Sequence, residues 1–205
     1  MTLIALLTAS SGFAALDYIE LSARTDVLAG KPFGKAGPYE RLVGKAYFQV
    51  DPKNAANAII VDVDKARCND KGMVEFSADL YVLKPREPKN GNGAILFEVS
   101  NRGGKGMLGM YNRAGSSTDP KTEKDFGDEF LMQQGFTIVW LGWQFDVADN
   151  PALLRLYAPI ATDNGRPITG KVRAEFVPDQ RTDTMPVADR NHRPYEILNP
   201  NDPAM

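Results

Sequence analysis

This chain has very little of what metal and redox chemistry needs. Its 205 residues include one cysteine, Cys68, and one histidine, His192. A lone cysteine closes no disulfide within the chain, and one histidine without a cysteine cluster makes no zinc site. A basic surplus is also missing. Lys and Arg number 24 against 26 Asp and Glu, a net charge of −2. That balance, with a pI near 5.5, argues against a nucleic-acid partner. No apolar run approaches the roughly 20 residues a membrane span requires. The nucleophile elbow G-x-S-x-G, the Walker A spacing, internal repeats and low-complexity segments are absent too. Nothing in the residues demands a cofactor.

What remains is an ordinary globular composition, 43% hydrophobic and 24% charged, enough for one domain with a real core. The first sixteen residues carry no charge. The apolar run Leu3–Ala9, followed by Gly12 and Ala14 at small-residue positions, predicts an exported protein with a signal peptide over residues 1–14. The basic n-region is missing, so a small apolar terminal strand or helix is the alternative.

Further along, Asp17–Ala23 and Leu42–Val50 alternate as half-buried strands, and Ala58–Val63 reads as another short strand. Val74–Leu83 alternates most cleanly, with Val74, Phe76, Ala78, Leu80 and Val82 inward and Glu75, Ser77 and Asp79 outward. The first ninety residues therefore predict an antiparallel β meander. The stretch Gly93–Gly109 then changes character. Its short apolar start at Ala94–Val99, interrupted by Glu98, predicts a strand buried on both faces, running into a loop rich in glycine. Asp119-Pro120 predicts a helix start, and Gly135 its end, with Phe126 and Phe130 facing a sheet. Phe136–Trp143 is strand-like again, so 94–143 predicts a βαβ unit. Asp163-Asn164-Gly165 marks a hairpin turn, with Ile168, Val172, Ala174 and Phe176 alternating after it. Eight of the fourteen prolines fall after residue 150, which excludes a long helix there.

The candidate chemistry gathers around the glycine loop. Gly104-Lys105-Gly106-Met107-Leu108-Gly109 fits G-x-G-x-x-G, but four residues, three of them polar, separate Val99 from Gly104, where a dinucleotide site wants its turn at once. Glu98 interrupts an apolar strand and needs a partner, for which Arg102 and Lys105 are the candidates. Glu75 and Asp79 stand four strand positions apart, roughly 13 Å along the backbone. That is too far for a glycosidase pair unless the side chains converge, and a solvated strand face is the simpler account. Trp140 and Trp143 place one indole in the core and the other at a strand end, where Trp143-Gln144 reads as a pocket wall or as plain packing. His192, in a proline-rich tail, reads as a surface residue.

Several of these segments together resemble the opening of a bacterial family, the α/β-hydrolase domain-containing proteins. They are Arg24–Leu28, Gly30–Gly34, Gly37–Glu40, Val74–Asp79, Glu98–Gly103, the run from Phe130 to Gln144, Pro167–Gly170 and Val172–Glu175. The resemblance covers nearly everything from Tyr18 onward. It implies an α/β fold: an N-terminal antiparallel β meander leading into the first βαβ part of an α/β-hydrolase-like mixed sheet, with a β-hairpin insertion, over an incomplete domain spanning 15–205. It implies that Asn101, Arg102, Gly103 and Gly104 form an oxyanion loop. The family's serine, acid and histidine would follow later in the chain, in that order, so no catalytic residue is expected here and His192 is not the family histidine. The expectation is the N-terminal part of an exported serine hydrolase acting on a small-molecule carboxylic ester, inert by itself. The alternative is a non-catalytic β-rich module that binds carbohydrate or a partner through Trp143, Tyr157 and the 164–165 hairpin.

Overall fold

Alternating side chains carry the chain through its long strands. The computed structural model describes residues 15–170, 177 and 179–181. Strands β1 (Ala15–Asp26), β2 (Pro32–Phe33), β3 (Gly37–Val50) and β4 (Val74–Pro85) come first. β1 lies antiparallel to β3, β3 to β4, and the short β2 folds onto the start of β3. Strands β5 (Ile95–Val99) and β6 (Thr137–Leu141) pair in parallel, and β6 docks antiparallel on β4. β7 (Leu156–Tyr157) continues along the same edge of β4, opposite Ser77 and Ala78. The result is a seven-stranded mixed sheet with main-path order β1-β3-β4-β6-β5. A separate two-stranded sheet joins β8 (Thr162–Asp163) to β9 (Arg166–Pro167). Asn164 and Gly165 make its turn with φ of 51° and 78°, the paired positive values a tight hairpin requires.

This architecture corrects the α/β-hydrolase-like expectation. The chain is mostly β, with two short helices among the described residues: α1 (Met107–Asn112) and α2 (Phe130–Gln133). The long helix expected from Pro120 is cut short for local reasons. Lys121 and Thr122 donate their N–H groups to Asp125, closing a 3-10 turn at Glu123–Asp125. Gly127 and Glu129 then adopt φ of 59° and 61°, which no α-helix accommodates. A Cβ on Gly127 would stand 2.0 Å from the Asn112 carbonyl oxygen, so this glycine is where two loops touch. Phe126 is buried as expected, but Phe130 is exposed.

Two further expectations change. Ala58–Val63 is a chain of turns rather than a strand, with Ile59 and Val61 exposed. β5 is not buried on both faces: Ile95, Phe97 and Val99 are 68%, 50% and 62% exposed. It is the last strand on its side of the sheet, and no described segment covers that face. β4 is the strand buried on both sides, with Leu80, Tyr81, Val82 and Leu83 all in the interior.

The main core lies on the other face. Tyr39, Tyr81, Leu83, Ile138 and Trp140 project from the sheet to meet Phe33, Phe126, Leu131 and Met132. Tyr39 shares its hydroxyl proton between the carbonyls of Met132 and Phe136, at 3.1 and 2.9 Å. Buried Asn112 joins the two helices, donating to the Phe126 carbonyl and accepting from the Leu131 N–H. The expected signal peptide at 1–14, the alternation at Val172, Ala174 and Phe176, and His192 lie outside the described residues. No helix among the described residues is long and apolar enough to cross a membrane.

Candidate functional site

The glycine loop leaves the C-terminal end of β5 and is fixed at almost every residue. Ser100 is fully buried. Asn101–Gly103 form a 3-10 turn in which Arg102 takes a left-handed φ of 50°. The strained turn is held from outside. Gln144 accepts the Arg102 N–H at 2.7 Å, and Asp146 accepts from the Arg102 guanidinium at 2.6 Å. Gly103 follows with φ 75° and accepts the Leu154 N–H at 3.0 Å. A Cβ there would lie 2.5 Å from the Leu154 carbonyl oxygen, so only glycine lets the two backbones meet. The Gly104 N–H returns to the Asn101 carbonyl at 3.1 Å.

Glu98 finds its partners elsewhere than expected. Its carboxylate accepts the N–H groups of Gly106 and Met107, at 3.0 and 2.9 Å, and also the indole N–H of buried Trp140. Arg102 and Lys105 are not among them. These two backbone donors are the ones a pyrophosphate would need at G-x-G-x-x-G, and the chain's own carboxylate holds them. Two of the backbone donors that a dinucleotide would use at the start of α1 are therefore already occupied.

Lys105 is buried and anchors two loops, donating to the carbonyls of Thr118 and Ala152 with its ammonium 4.7 Å from the Tyr81 ring centroid. Burial pushes its pKa down to about 8, against a weaker pull from Asp119. Trp140 is core and Trp143 is half exposed, its indole N–H donating to the Ser100 carbonyl. Trp143 and Gln144 thus both stand against the loop, one holding Ser100 and the other Arg102. Sequence reasoning missed Asp146 and Leu154. Their partners are 44 and 51 positions earlier, a separation that local periodicity does not report.

An exposed residue of the loop stays open. Asn101 is exposed, and its N–H and side-chain amide have no partner among the described residues. Asp79, expected on a solvated face, is instead part-buried. It accepts from Lys45 at 2.7 Å, the Arg155 N–H at 3.0 Å and the Tyr157 hydroxyl at 3.1 Å. Glu75 does lie at the surface, where Asn69 donates to it. No cluster of three or more His, Cys, Asp or Glu that could hold a metal occurs among the described residues. Compared with known proteins, the chain matches no family model, no curated protein and no solved structure.

Proposed function

We propose that the Ser100–Gly104 loop is the oxyanion-binding half of a carboxylic ester hydrolase site. The observation that carries this reading is Asn101. It offers a backbone N–H and a side-chain amide without a partner among the described residues, at the end of a parallel strand, while the residues on either side are immobilised. Such preorganised donors stabilise the negative charge that develops on an ester carbonyl oxygen as a nucleophile adds to its carbon. Because the neighbours are locked by Gln144, Asp146 and Leu154, the donor needs no reorganisation when charge develops. Trp143 supplies a half-exposed apolar wall beside it.

The nucleophile lies outside the described residues. The chain has no serine elbow, and its single histidine falls where no serine elbow precedes it. The uncharged N-terminus supports export to the periplasm or the extracellular space. On this reading the 205-residue chain forms no acyl-enzyme, and its substrate in the complete enzyme is a small ester. The purified chain is expected to leave a short-chain aryl ester unhydrolysed above background. Clear turnover abolished by a serine-directed phosphonate would contradict the proposal, because the chain would then hold its own nucleophile.

A further inference from the structure

A second opening lies away from the glycine loop, where β1, β3 and β4 meet the 148–157 segment. It is a groove of about 580 Å³, a volume in the usual range for small-ligand sites. A smaller depression of about 290 Å³ continues it, and both are lined by Tyr47 and Tyr157. Tyr18 lines the smaller one, its ring stacked on Tyr47 with centroids 4.3 Å apart. We propose that these two adjoining openings bind a neutral saccharide chain. The proposal does not rest on the ester-hydrolase reading. It also moves the expected carbohydrate surface away from Trp143 and the 164–165 hairpin, keeping only Tyr157.

The lining decides the ligand class. Glu20, Asp79 and Asp149 outnumber Lys45 and Arg155 in the larger groove, which disfavours an anion. A cation fares no better, because the groove holds one of its own. Lys45 lies 3.6 Å over one face of the Tyr157 ring and 2.7 Å from Asp79, occupying that one face and the carboxylate that would attract a ligand ammonium. Asp79 already accepts from three donors of the chain itself.

The polar groups still open are scattered and of both kinds. Glu20 accepts the Tyr47 hydroxyl at 3.0 Å on one oxygen and leaves the other open. Asn150 uses its side-chain oxygen on the Ala152 N–H, and its amide donors have no partner among the described residues. Asp149 is exposed and without a described partner. Between them lie the apolar side chains of Leu21, Val43 and Leu153. A sugar matches this mixture, since its C–H faces pack on apolar and aromatic surface while its hydroxyls donate and accept around the rim. Two joined depressions favour a chain of units over a single ring.

Titration calorimetry of the full 205-residue chain against cello-, xylo-, manno- and chitohexaose tests the proposal. At least one hexaose is expected to bind with a dissociation constant near or below about 1 mM. Tyr157→Ala should weaken that binding about tenfold or more, while Tyr157→Trp, which keeps an aromatic plate, should retain it. Tyr157 is exposed, so a matching circular dichroism spectrum and melting temperature will show that the variants fold. Absence of binding by all four hexaoses would overturn the proposal. So would binding that Tyr157→Ala leaves unchanged, or tighter binding of spermine that the same substitution abolishes.

Discussion

The glycine loop and the aromatic groove differ in how their polar groups are used. In the loop, the donors at Arg102, Gly104, Gly106 and Met107 are taken by the chain itself, while exposed Asn101 keeps its N–H and side-chain amide without a partner among the described residues. In the groove, open donors and acceptors are spread over Glu20, Asp149 and Asn150, around a single satisfied centre at Asp79. Glycines in a loop after a strand therefore do not by themselves mark a ligand cradle. Here Gly103 exists so that one backbone can touch another. The groove carries no motif, because strands far apart in sequence assemble it.

Substitutions can break this contrast, and the largest effect is expected at Gly103. Gly103→Ala places a methyl group 2.5 Å from the Leu154 carbonyl oxygen at φ 75°, and should cost about 4 kcal/mol or prevent folding. Gly165→Ala is its control. The φ is 78°, but nothing lies within 4 Å, so only the backbone term remains, about 1 kcal/mol. Equal losses in urea melts would show that Gly103 is not a contact residue.

Glu98→Gln comes next. One amide oxygen cannot serve two backbone N–H groups and the Trp140 indole, so a loss of about 2 kcal/mol is expected. The same substitution should leave saccharide binding untouched, because Glu98 is not part of the groove. A pH-dependent effect belongs to Lys105. Its folded pKa of about 8 lies below the ordinary 10.5, so between those values the unfolded chain holds the proton that the folded chain has lost. Unfolding then takes up a proton, and stability contributed by this residue rises with pH from 8 to 10.5. Urea midpoints compared between the wild type and Lys105→Met should diverge over that window. A constant difference would place Lys105 in a more polar setting than described. The smallest effect is expected at Ser100, whose buried hydroxyl has no described partner. Ser100→Ala should change stability by no more than about 0.5 kcal/mol.

Much of the sheet was legible because alternation is a local signal. Val74, Phe76, Ala78, Leu80 and Val82 share one face of β4 as their spacing requires. Ala58–Val63 failed because a short apolar run carries no period and turns absorbed it. The helix beyond Pro120 failed because Gly127 was needed against Asn112, a tertiary contact invisible to propensity. Glu98 is legible as a carboxylate that interrupts an apolar strand and needs a partner, and the structure leaves it half-buried. Its real partners were backbone N–H groups and an indole 42 residues away, which side-chain charge alone does not indicate.

The central claim is that Asn101 is a donor held ready for an oxyanion. Asn101→Pro deletes that N–H with little disturbance, because Ser100 already has the extended backbone (φ −63°, ψ 129°) that a following proline requires. The decisive measurement is a backbone amide NMR titration of the wild type and this variant with methylphosphonate, a tetrahedral oxyanion mimic. The account predicts a saturable shift of the Asn101 amide at millimolar ligand, little movement at Gly106 and Met107, and no local response in Asn101→Pro. An Asn101 amide that does not move, or a loop response that survives the proline, would contradict it.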